Sequence, residues 1–337
     1  MKRIFVTGGA GFIGSAFVRL VLAENPDVEI VNFDALTYAG NLENLADISS
    51  PRHRFIKGDI RHASEVMDAL PDGCDAVFNF AAESHVDRSI ESASEFITTN
   101  VLGTQVLLDA ARKKSVGRFV QISTDEVMGT LPDDSPDVFT EDSPIRPNSP
   151  YAASKAAAEH LVRAARETFG LDSVITRCGN NYGPRQFPEK LIPLVIANAI
   201  DGKNIPVYGD GGNVRDWIFV DDHARAVWLA CERGVPGSVY NIGARNEIRN
   251  LEVVKSILST LGRPEGLIEF VKDRPGHDRR YAIDPSKAET ELGWKPLVDW
   301  YAGLATTIEW YIGNAEWISN VRSGEYLDYY ERNYINR

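Results

Sequence analysis

The sequence contains few cysteines, since Cys74, Cys178 and Cys231 are widely spaced and form no CxxC motif. This excludes a disulfide framework and a cysteine-ligated zinc site, and it is typical of a reducing compartment. Long apolar runs are also missing: the longest uncharged one, 191–200, is too short to span a bilayer. The apolar stretch that begins at residue 4 is too short for a secretion signal. We therefore expect a cytoplasmic protein with no membrane segment and no bound metal.

Positive charge is scarce as well. The 337 residues include 36 Lys and Arg against 48 Asp and Glu, so the formal net charge is −12. Such a chain repels nucleic acid and anionic membranes, and we expect neither as a partner. Hydrophobic residues make up 43% and charged residues 25%, which excludes a disordered chain. The length leaves room for two domains.

Short β-branched and aromatic segments alternate with helical segments in the first half of the chain. Strands are predicted at 3–6, 28–33, 54–56, 76–80, 118–123 and 173–177, and helices at 12–23, 63–70, 94–113 and 151–169. This alternation predicts an α/β fold with a doubly wound, mostly parallel sheet of the Rossmann type. We assign residues 1–180 to this domain, with 213–243 crossing back to it. Residues 181–212 and 244–337 are predicted to form a smaller α/β lobe.

A glycine-rich turn follows the first predicted strand. Gly8, Gly11 and Gly14 are spaced as GxxGxxG and lead directly into the first predicted helix. Glycine permits a tight turn and lets a pyrophosphate approach the backbone, while the helix N-terminus supplies N–H groups. A turn without a ligand would need the same glycines, but the strand before and the helix after favour a dinucleotide site.

Two acidic residues lie at the ends of the next strands. Asp34 ends the second strand, 20 residues after Gly14, where a carboxylate can accept hydrogen bonds from ribose hydroxyls. A carboxylate there repels a 2′-phosphate, so NAD is favoured over NADP. Asp59 and Ile60 follow the third strand and could contact the adenine, although an ordinary turn would also account for them.

Tyr151 and Lys155 are four residues apart and share one helix face. A phenol with an ordinary pKa of about 10 needs a stabilised anion to act as a base at neutral pH. The Lys155 ammonium is expected to provide this by lowering the pKa of Tyr151, and also to hold a cofactor ribose. The pattern is loose by itself and becomes specific together with the glycine turn and Asp34.

At this point the chain resembles the extended short-chain dehydrogenase/reductase family, and within it the nucleotide-sugar 4,6-dehydratases. The segments that carry the resemblance span nearly the whole chain and are 34–42, 81–89, 123–127, 147–151, 177–184 and 273–281. The Thr-Asp-Glu run at 124–126 and the Arg-Pro-Gly-His-Asp run at 274–278 are its most specific parts. One departure is Met128, since the family usually has tyrosine after Val127.

The resemblance implies a hydro-lyase that uses NAD and acts on dTDP-glucose. Tyr151 would take the proton of the carbon 4 hydroxyl, with Thr124 bonded to that oxygen. Glu126 would remove the carbon 5 proton and Asp125 would protonate the departing carbon 6 hydroxyl. The resemblance also assigns Phe12, Ile13 and Ala81 to the cofactor. It assigns to the sugar nucleotide Ser84, Thr124, Asn181, Lys190, Leu191, Pro206, Tyr208, Arg215, Asn250, Arg274, His277 and Tyr281.

Alternatives remain at this stage: another nucleotide-sugar dehydratase, a UDP-sugar 4-epimerase, or an NAD sensor that has lost catalysis. Asp125 and Glu126 disfavour the epimerase, because epimerisation needs no acid and base for water loss. For assembly, the helices at 94–113 and 152–165 carry apolar residues on more than one face. We expect them to form a four-helix bundle in a homodimer, unless the second lobe of the same chain covers them.

Overall fold

The computed structural model describes residues 1–322; residues 323–337, the end of the predicted lobe, lie outside the described part. Twelve strands are present in the described residues: β1 Arg3–Thr7, β2 Glu29–Asp34, β3 His53–Lys57, β4 Ala76–Asn79, β5 Arg118–Thr124, β6 Ser173–Cys178, β7 Asn180–Tyr182, β8 Ile205–Tyr208, β9 Val214–Phe219, β10 Val239–Ile242, β11 Glu247–Arg249 and β12 Ile268–Val271. Seven of these form one parallel sheet in the order β10-β6-β5-β4-β1-β2-β3. The order 3-2-1-4-5-6 is that of a Rossmann fold, so the predicted fold class is confirmed.

Helices cover both faces of the large sheet, which is why its strands are continuous apolar runs. The α-helices of the described residues are α1 Phe12–Glu24, α2 Ala63–Ala69, α3 Val86–Glu91, α4 Ala93–Phe96, α5 Thr104–Lys113, α6 Pro150–Phe169, α7 Leu191–Asp201, α8 Val220–Arg233, α9 Asn250–Thr260, α10 Trp300–Gly313 and α11 Ala315–Val321. Helices α1 and α8 pack together on one face, around Phe17 and Trp228. Helices α2, α5 and α6 cover the other face. Within residues 1–322, no helix has both the length and the apolar character that crossing a membrane requires.

The smaller lobe contains a three-stranded sheet in the order β11-β9-β7 and the parallel pair β8–β12. Its core joins Trp217 and Trp300 to apolar residues of α7 and α9. We expected the segment 213–243 to return to the large sheet. Strand β9 instead pairs with β7 and β11, so it belongs to the three-stranded sheet of the smaller lobe. Only α8 and β10 return, so the crossing segment is 220–242.

The helix predicted over 94–113 is present, but it is not α-helical throughout. Helix α4 passes into a π-helical stretch, Ile97–Gly103, before α5 begins. Within this stretch Asn100 is buried: its amide nitrogen donates to the Glu83 carbonyl at 3.0 Å and to the Ser154 hydroxyl at 2.8 Å. Gly103 is needed where the helix crosses Ile60, since a Cβ would lie 2.5 Å from the Ile60 Cδ1. Such π-helical insertions are frequent at functional sites.

Candidate active site

The glycine turn is shaped by close backbone contacts. Gly8 has φ of +70°, and a Cβ on it would lie 2.5 Å from the Ala81 nitrogen at the end of β4. A Cβ on Gly14 would lie 2.2 Å from the Gly8 oxygen. Gly11 is different, because only the Gly8 oxygen, at 3.3 Å, is near its Cβ position. The turn is therefore tight toward the protein and open above Gly11, at the N-terminus of α1, as a pyrophosphate cradle requires.

Asp34 lies at the carboxyl end of β2, beside this turn. Its two oxygens accept hydrogen bonds from the Ala10 and Leu36 nitrogens at 2.9 and 2.8 Å, and burial raises the pKa of its carboxyl. Asp59 pairs with Arg61 at 2.6 Å. Burial alone would raise the pKa of Asp59, but the hydrogen bonds from Arg61 outweigh it and lower the pKa. Both carboxylates line the same cavity as the glycine turn.

Tyr151 and Lys155 lie in the first turns of α6. The Ser149 hydroxyl caps this helix by accepting a hydrogen bond from the Ala152 nitrogen at 3.1 Å. Burial lowers the pKa of Lys155 to about 8, and its Nζ donates to the Ile122 carbonyl at 2.6 Å.

The pKa of Tyr151 does not show the net lowering that we expected from Lys155. Burial and the nearby Glu126 raise the pKa of the phenol well above its usual value, and Cys178 and Asp125 add to this. The Lys155 ammonium, whose Nζ donates to the Ile122 carbonyl, does not reverse the net direction of this shift. Tyr151 is therefore a neutral phenol in this structure and needs a further positive charge to become a base.

Thr124, Asp125 and Glu126 lie where β5 ends, at the carboxyl edge of the sheet. The Thr124 hydroxyl donates to Asp125 Oδ1 at 3.2 Å and accepts from the Glu126 nitrogen at 3.3 Å. Asp125 is 1% exposed, and its Oδ2 has no hydrogen-bond partner among the described residues.

The pKa values of the Asp125 and Glu126 carboxyl groups are both raised, but different neighbouring charges contribute to the two shifts. Burial and the neighbouring Glu126 raise the pKa of Asp125 well above its usual value. Burial also raises the pKa of Glu126, but the positive charges of Arg274, Arg215 and Lys190 oppose that rise. The pKa of Asp125 is therefore raised more strongly than that of Glu126, and this order fits Asp125 as a general acid and Glu126 as a general base.

Two adjoining cavities contain every site residue predicted from the sequence. The first is lined by the glycine turn, Asp34, Asp59 and the catalytic candidates, and the second by residues of the smaller lobe. Glu126 and Lys190 line both cavities. The first cavity also contains Phe12, Ile13, Ile60, Ala81, Ser84 and Asn181, and the second contains Leu191, Pro206, Tyr208, Arg215, Asn250, Arg274, His277 and Tyr281. The catalytic candidates thus line the first cavity, and Glu126 lies where it meets the second.

The second cavity concentrates positive charge in an acidic protein. The Arg215 guanidinium lies 4.2 Å from the centre of the Tyr281 ring and donates to the Asp278 carbonyl at 2.9 Å. The Arg274 Nε is buried and has no hydrogen-bond partner among the described residues. The Tyr208 and His277 rings meet edge to face, with centroids 6.1 Å apart. Guanidinium groups beside aromatic rings fit a nucleoside diphosphate.

Three polar residues at or behind the site were not predicted: Glu189 lines both cavities, Asp87 lines the second, and His223 lines neither. Burial raises the pKa of Glu189 to about 7, and its carboxylate lies 3.6 Å from the Arg88 Nε. His223 of α8 is buried, and its Nδ1 lies 2.9 Å from Asn181 Oδ1. The Asp87 carboxylate accepts a hydrogen bond from the Tyr208 hydroxyl of the smaller lobe at 2.8 Å. For Glu189 the available signal was its position directly before Lys190; His223 carries no local signal.

Met128 lines neither of the two cavities. It is buried beside the ion pair between Arg177 and Glu159, with its sulfur 3.7 Å from the Arg177 Nη1. The departure from the usual tyrosine therefore affects the packing behind α6, and leaves the groups that face the cavities unchanged.

Comparisons with known proteins show the family to which the chain belongs. A profile of the GDP-mannose 4,6 dehydratase family matches residues 5–307. The chain is 50% identical to the dTDP-glucose 4,6-dehydratase of Salmonella typhimurium, over 99% of both chains. It is also similar to the crystal structure of the Streptomyces venezuelae dTDP-glucose 4,6-dehydratase with NAD bound, with 52% identity, a TM-score of 0.92, and coverage of 95% of this chain and 99% of that one. The Thermus thermophilus UDP-glucose 4-epimerase, solved with NAD, gives 32% identity, a TM-score of 0.84, and coverage of 93% and 99%.

Proposed function

The chain belongs to the GDP-mannose 4,6-dehydratase family, within the extended short-chain dehydrogenase/reductases, and from this premise we propose the reaction that follows. The protein is an NAD-dependent hydro-lyase that converts dTDP-glucose to dTDP-4-keto-6-deoxyglucose. One observation carries the substrate: identity of about half the residues to dTDP-glucose 4,6-dehydratases, over 99% of both chains. The acid and base at 125 and 126 then favour dehydration over the epimerisation of the more distant relatives.

The first cavity fits NAD. The open backbone above Gly11 and the N-terminus of α1 would hold the pyrophosphate, and Asp34 the adenosine ribose. When bound, NAD would supply the acceptor and donor of the hydride that moves from carbon 4 to carbon 6 of the sugar, and its oxidised ring would bring a positive charge into the cavity. That charge acts on Tyr151 in the direction opposite to burial and the carboxylates.

We assign to Tyr151 the removal of the proton from the carbon 4 hydroxyl. The Thr124 hydroxyl, which is bonded to Asp125, would form a hydrogen bond with the same substrate oxygen. Lys155 is one helical turn from Tyr151, and its ammonium would stabilise the phenolate as the proton moves. Each of these side chains is buried, so water is kept from the groups that exchange the proton.

Asp125 and Glu126 are assigned to the loss of water. A ketone at carbon 4 makes the proton at carbon 5 acidic, and Glu126 removes it as a general base. Asp125 carries the proton that the departing carbon 6 hydroxyl requires, in keeping with its raised pKa. Glu126 then returns its proton to carbon 5. The product is a ketone at carbon 4, so the proton on Tyr151 does not go back to the sugar. Tyr151 releases it and Asp125 takes up one proton, which restores both groups for the next cycle.

The second cavity is assigned to the nucleoside diphosphate. Arg215 and Arg274 provide cations for the two phosphates, and the rings of Tyr208 and His277 provide a wall for the base. Lys190 lies at the junction of the cavities, where the sugar must connect the diphosphate to the catalytic residues.

The test is incubation of the purified protein with dTDP-glucose, UDP-glucose and GDP-mannose in separate reactions. We expect a product with the near-ultraviolet absorbance of a 4-keto sugar in base from dTDP-glucose, and much less from the other two. Mass spectrometry should show the loss of one water. An isomer of unchanged mass from UDP-glucose would support the epimerase alternative instead.

We further propose a homodimer built through α5 and α6 and the π-helical stretch between α4 and α5. Among the described residues, Ile97 is 49% exposed and Leu102 is 50% exposed, and Ala153 and Ala164 of α6 are exposed too. The second lobe therefore does not cover these positions, and their apolar character favours a partner. Pairing with the same face of a second copy would form a four-helix bundle.

Sedimentation equilibrium tests the dimer, with an expected mass of twice 37.3 kDa. Leu102→Glu should shift the equilibrium toward monomer. Leu297→Glu is the matched control, because Leu297 is equally apolar and exposed but lies outside this face. A monomeric wild-type protein with full activity would contradict the proposal.

We also propose a cytoplasmic location. The cysteines Cys74, Cys178 and Cys231 are all buried free thiols. Unpaired thiols are typical of a reducing compartment. Fractionation of the native cells, with detection by antibody, tests this.

A further inference from the structure

The segment between β4 and α3 reaches across to the smaller lobe. The Ser84 carbonyl accepts a hydrogen bond from the Lys190 Nζ at 2.8 Å. Three residues later the Asp87 carboxylate accepts two more, from the Tyr208 hydroxyl at 2.8 Å and from the Arg274 Nη1 at 3.0 Å. The partners belong to elements that are far apart in the chain. Asp87 is thus the point of the Rossmann domain at which both side chains are held.

The surroundings of Asp87 favour the ionised form of its carboxyl group. Its side chain is 7% exposed, and burial alone would raise the pKa of its carboxyl. The charge of Arg274 outweighs burial, and hydrogen bonds from Tyr208 and Arg274 add to its effect, so the pKa falls to about 2. An anion in this cavity would repel a diphosphate if it stood alone, so a direct contact with the ligand does not explain its presence.

The two partners explain it better. Both Tyr208 and Arg274 line the second cavity. Asp87 holds the Nη1 end of the guanidinium, while the Nε is buried and has no hydrogen-bond partner among the described residues. A guanidinium that is fixed at one end keeps its other donors in a constant orientation, and ordering it before binding removes part of the entropy cost.

We propose that Asp87 is a positioning residue of the nucleotide site, which fixes Tyr208 and Arg274 in the orientation that a nucleoside diphosphate needs. The inference rests on the proposed function, since it names the residue that prepares the substrate cavity. It acts through the two side chains of the other lobe, and it makes the affinity for the nucleotide depend on the Rossmann domain.

The test is calorimetric titration of the NAD-loaded protein with dTDP. Asp87→Asn keeps the shape of the side chain but removes its charge. It also places an amide N–H donor beside the Tyr208 hydroxyl and the Arg274 guanidinium, which are donors themselves. We expect the dissociation constant for dTDP to rise about tenfold or more, as for a lost hydrogen bond between charged groups. The matched control is Asp172→Asn, which breaks another Asp–Arg pair, 2.9 Å from Arg118 and away from both cavities. It should change the constant by less than about twofold.

A double substitution separates positioning from a general structural effect. In an Arg274→Ala background, Asp87→Asn should raise the dissociation constant for dTDP by less than a further threefold or so, because the main partner of Asp87 is gone. An unchanged dTDP affinity in Asp87→Asn, or its full effect in the Arg274→Ala background, would overturn the inference. Should Asp87→Asn fail to fold and retain NAD, Asp87→Glu takes its place. It keeps the charge and displaces the carboxylate, and wild-type affinity in that variant would also overturn the inference.

The outcome is separable from that of the proposed function. Binding of dTDP reports on the cavity, whereas dehydration of dTDP-glucose reports on the reaction. A wild-type protein that binds dTDP with the expected dependence on Asp87, but does not dehydrate dTDP-glucose, would contradict the reaction and support the inference. A wild-type protein that does not bind dTDP would contradict both.

Discussion

Replacing the two neighbouring carboxyl groups should separate the first step of the reaction from the second. Asp125→Asn and Glu126→Gln leave the shape of each side chain nearly unchanged. Oxidation at carbon 4 depends on Tyr151, Thr124 and Lys155, so it should continue in both variants. Elimination of water needs the acid and the base, so it should slow in both.

The size of the effect follows from the surroundings of each carboxyl group. Asp125 is almost fully buried and its Oδ2 has no hydrogen-bond partner among the described residues, so no protein group competes with the substrate for this oxygen. Loss of a positioned acid or base typically costs about 10²- to 10⁴-fold in rate. This corresponds to roughly 3–5 kcal/mol in the activation free energy. We expect each variant to lie within this range.

The assay follows two absorbances in a single-turnover reaction with dTDP-glucose. Reduced nicotinamide should accumulate in Asp125→Asn and Glu126→Gln, while the 4-keto-6-deoxy product forms slowly. Tyr151→Phe should show neither signal, since it blocks the first step. Glu167→Gln is the control, because Glu167 is an exposed acid on the same helix as Tyr151.

The pH dependence gives a second check on the same assignment. Glu126 must be ionised, and burial raises its pKa, so elimination should fall on the acid side at a higher pH than for an ordinary glutamate. Asp125 must be protonated, so elimination should also fall as the pH rises through its raised pKa. If both amide variants form product at wild-type rates, the assignment of acid and base is wrong.

Three further predictions concern the cofactor and stability. Asp34→Ala should weaken NAD binding by about tenfold, because a charged hydrogen-bond acceptor is lost. It should also reduce the ratio by which NAD binds more tightly than NADP. Fluorescence titration with both dinucleotides measures the two effects. Burial raises the pKa of Glu189 from 4.5 to about 7, so its contribution to stability is complete below pH 4.5 and is lost as the pH rises to 7. The loss is about 3 kcal/mol, and urea unfolding of Glu189→Gln across this range should lack it. Glu159→Ala leaves Arg177 buried without its ion pair and should lower the free energy of unfolding by about 3–5 kcal/mol, against at most about 1 kcal/mol for Asp109→Ala, whose pair is exposed. Equal losses in the last two variants would contradict that argument.

Local sequence patterns predicted the elements whose signals are themselves local. The buried strands are continuous apolar runs that end at glycine or polar residues, and the turn at Gly8 is recognisable because only glycine permits its backbone. The π-helical stretch around Asn100 could not be predicted from periodicity, because its cause is a set of tertiary contacts with Glu83 and Ser154. The segment 213–243 was predicted to return to the Rossmann domain as a whole, whereas β9 within it pairs with β7 and β11, and this pairing also depends on tertiary contacts.

The candidate site shows the same division. Tyr151 and Lys155 were found because their spacing on a helix brings them together. The direction of the Tyr151 pKa shift was not predicted, because it depends on burial and on the carboxyl groups of Asp125 and Glu126, which follow β5. Asp87 could not be assigned a role either, since its partners Tyr208 and Arg274 are 121 and 187 residues away in the chain.

The path of the chain through the large sheet has a consequence for how the protein folds. Strand β10 pairs with β6, but 60 residues lie between Cys178 and Val239, and they include β7, α7, β8, β9 and α8. The large sheet is therefore completed only after half of the smaller lobe has been synthesised. Contacts of such long sequence separation slow folding and tie the two lobes into one cooperative unit. The protein should unfold in a single transition, and the Rossmann domain should not fold alone when the chain is cut between β6 and β10.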